Sequence, residues 1–196
     1  MNLMKHAEQG TTVQEILVTL GILSILASVG GYGLSQVLPN YRLSSAARSL
    51  LLHIQEARSR AAFQRTVYYL DFDLDGDGDV GSGPCVLWED LNNNRQKDPE
   101  EKQEHSLWLK EFPSVQFRAY PSELGGPRRG PNNTEIDAGG GDGVSFAGNR
   151  IKFNPIGTCT SGTVYLHNQK GQTYAIRLRY NGLVQVWRHN GVQWVR

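Results

Sequence analysis

The 196-residue chain predicts an α+β protein, one long N-terminal helix followed by an antiparallel β domain. Three observations predict it. Residues 16–34 carry no charge and are apolar on every side. Residues 43–61 then place apolar side chains at helical spacing, and from residue 67 the period shifts towards two. Glycine numbers 22, above the usual ~7%, and most of it follows residue 75, which suits a loop-rich β body. Lys plus Arg is 20 and Asp plus Glu is 19, so no global charge draws the chain onto nucleic acid or an acidic partner.

Residues 1–10 (MNLMKHAEQG) are short and polar and abut the apolar run directly. No small-x-small cleavage site follows that run, so it is not a secretory signal and the apolar segment is retained. Its length is near the ~20 residues that cross a bilayer as a helix. Gly21, Gly30, Gly31 and Gly33 would weaken a soluble helix but are common in spans. One carboxylate, Glu15, stands near the leading edge. A charge at the centre of a span costs about 2.5–3.5 kcal/mol on insertion scales, so it is rare and usually partnered. No Lys or Arg lies between Lys5 and Arg42, and another chain is the simplest source of a counter-charge.

Pro39 predicts a kink near residues 37–38. Beyond it Leu43, Ala47, Leu50, Ile54, Ala57 and Ala61 form a stripe that keeps to one helix face. Its alanines allow close approach to a flat surface, and the domain's own sheet is the expected one. The helix is predicted over 12–64.

Short strands are predicted at 67–72, 86–88, 106–109, 115–120, 144–146, 151–153, 163–167, 173–180, 183–188 and 192–195. In 173–180, Tyr174, Ile176 and Leu178 share one face and Arg177 and Arg179 the other. Asn181-Gly182 after it is the strongest hairpin signal in the chain. Residues 121–143 hold almost no apolar side chains and read as a long surface loop.

Cys85 and Cys159 are the two cysteines. In an extracytoplasmic body one disulfide between them is the natural reading, and two separate buried thiols the alternative. Asp90, Asn92, Asn94, Asp98 and Glu101 stand at positions 1, 3, 5, 9 and 12 of a loop, the spacing of an EF-hand. Arg95 takes the place of the usual glycine, and no amphipathic helices flank the loop. Oxygen-only donors suit calcium. Asp73, Asp75 and Asp77 form a weaker candidate, a D-x-D-x-D-G pattern with no closing Glu. For both stretches the plainer reading is a solvated turn rich in Asp, Asn and Gly. No Gly-x-Ser-x-Gly, Walker lysine loop or H-E-x-x-H is present, and no cysteine lies near a histidine, so no enzyme and no required cofactor is expected. Arg177 and Arg179, with Trp187 and Trp194 nearby in sequence, fit the arginine–aromatic pattern of single-strand binding. The outer face of an antiparallel sheet explains them more simply, and nucleic acid is not an expected partner.

Gly10-Thr11-Thr12-Val13-Gln14-Glu15 before an apolar span resembles the class III signal of type IV pilins and type II secretion pseudopilins. The family usually has Phe or Met after the Gly, and here Thr11 and Gln14 differ. Ile151-Lys152-Phe153-Asn154-Pro155-Ile156-Gly157, followed by Gly162-Thr163-Val164-Tyr165-Leu166, is similar to the GspH/FimT branch of that superfamily. The resemblance implies a pilin-like fold with a 1–10 leader, an 11–38 membrane-spanning assembly helix, a 39–65 amphipathic continuation and a 66–196 β-rich domain. It implies cleavage between Gly10 and Thr11 by a prepilin peptidase, methylation of Thr11, and pairing of Glu15 with the N-terminal amine of a neighbouring subunit. It further implies a single pass through a bacterial inner membrane, with the C-terminal domain in the periplasm or outside the cell. The partners would be other pilin or pseudopilin subunits, the inner-membrane assembly platform and the lipid bilayer. Two roles follow: a minor pseudopilin near the tip of a type II secretion pseudopilus, or a minor type IV pilin serving pilus priming, adhesion or DNA uptake. DNA-uptake members carry a G-R-x-R motif; the matching place here reads Gly182-Leu183-Val184-Gln185, which favours secretion. The reading of another class is a tethered ligand- or calcium-binding module.

Overall fold

The stripe at 43–61 decides where helix and sheets meet. The structure, a computed structural model, describes residues 12–72, 80, 85–107, 111–136 and 143–196. Helix α1 runs Val13–Gln64, and Pro39 lies inside it without ending it. The chain divides into two compact units, Met1–Leu38 and Pro39–Arg196.

In the first unit the apolar side chains from Val13 to Leu38 are exposed. This stretch supplies the one helical segment among the described residues long and apolar enough to cross a membrane, with mean hydropathy 1.9. Its hydroxyls are satisfied within the helix. Thr19 Oγ1 donates to the Ile16 carbonyl at 2.9 Å, and Ser24, Ser28 and Ser35 donate to carbonyls three or four residues back at 2.8 Å. Such back-bonding satisfies hydroxyl donors within the helix itself.

In the second unit α1 buries Leu43, Ala46, Ala47, Leu50, Ile54, Ala57 and Ala61. Each large aliphatic side chain there contributes about 1.5–3 kcal/mol by burial. Strands β1 (Val67–Asp71), β2 (Cys85–Asp90), β3 (Gln103–Leu107) and β5 (Arg150–Phe153) form one antiparallel sheet in the order β3-β2-β1-β5. Strands β4 (Val115–Phe117), β6 (Gly162–Asn168), β7 (Thr173–Leu178), β8 (Val184–His189) and β9 (Trp194–Val195) form a second in that order, also antiparallel. The helix stripe joins inward residues of both, including Tyr68, Leu70, Leu87 and Phe153 from one and Phe117, Leu166, Ile176 and Leu178 from the other, in a single core. Residues 144–146, expected as a strand, make one isolated bridge, Val144 to Val164.

The remaining faces of the sheets are covered too. Tyr69 and Trp88, opposite each other in register, stack with centroids 4.6 Å apart on the outer side of the first sheet. On the second, Tyr165 and Ala175 pack with Ala119, Ile136, Trp187 and Trp194. The expected surface loop after residue 120 therefore has a folded first half. It contains a 3-10 turn (Ser122–Leu124) and a bridge between Arg129 and Glu135, and the Arg129 carbonyl accepts the Trp194 indole N–H at 2.7 Å. Residues 137–142 of that loop lie outside the described residues.

Asn168, fully buried at the end of β6, ties this unit to the helix: its amide nitrogen donates to Asn40 Oδ1 at 2.8 Å. Its Oδ1 accepts the backbone N–H groups of Lys170 and Gln172. Beside it, His167 Nδ1 lies 3.0 Å from the Arg118 carbonyl, an acceptor, so this nitrogen carries the proton. Burial holds His167 below the ordinary histidine value; the hydrogen bond to Arg118 opposes this and the Arg118 charge adds to it. The folded protein thus refuses a proton that the unfolded chain takes up below about pH 6.5. The stability that follows is complete above that pH and is lost as pH falls through the window towards the depressed folded value. The urea midpoint should fall between about pH 7.5 and about pH 5.5, and fall less in His167→Gln. A profile identical in both proteins would contradict this assignment.

Candidate functional site

The leading edge of α1 places Glu15 at the third helical position after Thr12. Thr12 N–H and Oγ1–H donate to Glu15 Oε2 at 3.0 and 3.3 Å, and Glu15 N–H donates back to Thr12 Oγ1 at 3.3 Å. This is a reciprocal capping box, which satisfies donors that the first helical turn leaves free. Within one chain Glu15 therefore has neutral partners, and the carboxylate also faces the positive end of the helix dipole. Gly10 and Thr11, the expected cleavage residues, lie outside the described residues.

In the second unit, α1 and two turns meet around Arg58. Arg58 Nη1 donates to the Gly182 carbonyl at 2.9 Å. Gly182 has φ +76°, and an added Cβ would fall 2.6 Å from the Arg58 guanidinium carbon. The β7–β8 connection closes through Arg179 N–H to the Leu183 carbonyl and Gly182 N–H to the Arg179 carbonyl. It is a turn with a left-handed glycine at its end, as in bulged hairpins. The adjacent turn at Pro155, Ile156 and Gly157 forms, with Gln55, Arg58 and Ala62, an open groove of about 550 Å³. Ile156 at its rim is 82% exposed. The 151–166 motif has a structural logic: Ile151 and Phe153 fill the core, and Gly162 lies flat under Phe146, where a Cβ would meet the ring at 2.6 Å.

In the loop at 90–101 the five expected residues bond to one another and to the loop's own backbone. Asp90 (2% exposed) accepts the Asn94 and Arg95 backbone N–H groups at 3.1 and 3.2 Å. Glu101 (7% exposed) accepts those of Leu91 and Asp98, both at 3.0 Å. Asn92 and Asn94 turn their amide oxygens to backbone N–H groups two residues on. Their amide nitrogens donate to Asp98 Oδ2 at 2.6 and 2.8 Å. Arg95 adopts φ +65° at the place where an EF-hand has glycine. The Arg150 guanidinium reaches the Arg95 carbonyl at 3.3 Å and buried Asp71 at 3.5 Å, fastening the loop to the first sheet. Among the described residues no three carboxylate, histidine or cysteine side chains converge on one point. The loop closes on its own N–H donors, as a turn does. Asp73, Asp75 and Asp77 lie outside the described residues.

The expected disulfide is not formed; Cys85 and Cys159 are free, buried thiols. Topology explains it. Glu89, Tyr68 and Phe153 are neighbours across β2, β1 and β5, and Cys159 bridges to Phe153 beyond the sheet edge. Cys159 is thus three strand spacings from β2, about 14 Å. Cys85 lies four residues along β2 from Glu89, a further offset of about 13 Å, whereas a disulfide needs Cα atoms within about 7 Å. Burial raises both thiols above the ordinary range; the Asp71 charge adds to it at Cys85 and the Gly182 backbone and Arg58 oppose it at Cys159. The Cys159 Sγ–H donates to the Arg179 carbonyl at 3.2 Å.

Arg177 and Arg179 differ in setting, since β7 ends at Leu178. Arg177 is half-buried in β7, opposite Thr163 and Gln185, while Arg179 is exposed in the turn beyond the strand. Trp187 and Trp194 are partly buried, packed in the cluster with Ile136. The residues that sequence reasoning passed over are Asn40, Asn168 and Arg58. Their partners are 124 and 128 positions away, beyond any local pattern.

No protein-family model and no curated protein matches the chain. Among solved structures it is similar to the type IV minor pilin FimU of Pseudomonas aeruginosa, with a TM-score of 0.45 and 16% identity over 80% of this chain and 95% of that one.

Proposed function

We propose that the chain is a membrane-anchored subunit of a pilin-like filament, and specifically a minor pseudopilin of a type II secretion system. The observation that carries this is Glu15, five residues beyond Gly10, at the head of an apolar helical segment whose side chains from Val13 to Leu38 are exposed. Such a surface needs lipid before assembly and other helices after it. In this reading a prepilin peptidase cuts after Gly10, and the Thr11 amine of one subunit pairs with Glu15 of another. The subunit would sit in a bacterial inner membrane with residues 1–10 cytoplasmic, and the assembly platform would draw it into the filament. Its part is structural, not catalytic. The minor type IV pilin is the runner-up, with the same anchor and the same pairing. Gly182-Leu183-Val184-Gln185 lacks the arginines of DNA-uptake members and supports the secretion role.

Glu15→Ala tests the pairing. Removing one partner of a buried ion pair costs about 3–5 kcal/mol, or about a hundredfold or more in an equilibrium. Filament-bound protein should fall by that order while the membrane pool persists. Assembly equal to wild type would overturn the reading.

The same exported domain would hold calcium at Asp90, Asn92, Asn94, Asp98 and Glu101. The five residues stand at EF-hand spacing, and Arg95 takes up the left-handed conformation of the glycine usual there. A ligand at a hundred times its dissociation constant stabilises by about 2.7 kcal/mol. Calcium should therefore raise Tm in the wild type and not in Asp90→Ala, whereas unchanged melting on chelation would remove the proposal.

A further inference from the structure

We infer that Asn132 is a glycan acceptor, modified by transfer from a lipid-pyrophosphate-linked oligosaccharide. The inference rests on the proposed export of the domain, since such transfer takes place on the far side of the membrane. Asn132-Asn133-Thr134 is an Asn-x-Thr sequence with no proline between, the acceptor pattern of N-glycosylation. No other Asn in the chain is followed two residues later by Ser or Thr.

The fold presents it well. Arg129 and Glu135 form a bridge, Gly130 N–H donates to the Thr134 carbonyl at 2.8 Å, and Asn133 N–H donates to the Gly130 carbonyl at 2.9 Å. Asn133 closes this tight turn at φ +65°. Residues 132–135 are all exposed. The two neighbouring asparagines are used differently. Asn133 Oδ1 accepts Arg129 Nη1–H at 3.3 Å, and the residue two beyond it is Glu135, which has no hydroxyl. Asn132 Oδ1 accepts the Thr134 hydroxyl at 2.6 Å. That bond sets acceptor amide and hydroxyl side by side, and it leaves the Asn132 amide nitrogen without a partner among the described residues.

The transfer balances. Asn132 Nδ2 bonds to the anomeric carbon of the first sugar, whose bond to the pyrophosphate oxygen breaks. The lipid pyrophosphate leaves with that electron pair, and one amide proton passes to a carboxylate of the transferase. The added glycan would stand over the hairpin that covers the Trp187 and Trp194 cluster, shielding it from proteases.

Full-length protein purified from the membranes of its own cells tests this by intact mass. The wild type should carry a discrete glycan increment. Asn132→Gln and Thr134→Ala should lose it entirely, while Asn133→Gln and Thr134→Ser should keep it. Protease added outside the inner membrane of the same cells reports whether the domain is exported. A wild-type mass equal to the unmodified chain, with the domain open to protease, overturns the acceptor assignment alone. A domain closed to protease overturns both the assignment and the export on which it rests.

Discussion

The second unit depends on how closely α1 can approach two sheets at once. The buried stripe alternates bulk and near-absence of bulk: Leu43, Leu50 and Ile54 project, while Ala46, Ala47, Ala57 and Ala61 let the backbone come close. Inward side chains of both sheets fill the same core, so the helix is shared rather than laid on one surface. Enlarging any of the alanines would force off-rotamer packing, which typically costs about 1–3 kcal/mol. Two polar clamps hold the register. Asn168 takes Asn40 near the start of this stretch, and Arg58 takes the Gly182 carbonyl further along. Each ties a strand end or turn of the second sheet to the helix through a side-chain hydrogen bond.

The helix itself was legible because an uncharged apolar run leads directly into a stripe at helical spacing. All six expected stripe residues are buried, and Ala46 joins them because the buried face of a helix is wider than a single line of residues. The strands were legible where alternation is strong, as in β7, whose Tyr174, Ile176 and Leu178 face the main core. Alternation reports burial rather than pairing, which is why Val144 and Phe146 are buried without forming a ladder. The hairpin over the second sheet was not legible. Residues 121–136 have few apolar side chains to betray a buried role; they offer backbone carbonyls, and the tryptophans of the sheet supply the apolar surface. The cysteines misled because pairing was read from compartment alone, and compartment says nothing of register.

Glu15 illustrates how far a single chain can be read. A carboxylate near the edge of a span suggests a missing cation. Thr12 already gives it neutral donors, so the group is tolerable before any partner arrives. Neutral donors do not cancel the charge, however, and a carboxylate at the head of an apolar helix still favours an ammonium in low dielectric. In the proposed function, the capping box and a pairing between subunits are successive states of one group. The first suits a monomer held in lipid, the second a bundle of helices. The 90–101 loop shows a parallel economy: its carboxylates are occupied by backbone N–H groups, which order the loop whether or not a cation joins them.

The proposed function rests on the helix and on cleavage after Gly10, and the N-terminal residue of the assembled protein tests it most directly. Sequencing or mass analysis of filament-bound material should find Thr11 first, methylated or bare. An intact Met1 in assembled protein would contradict the account.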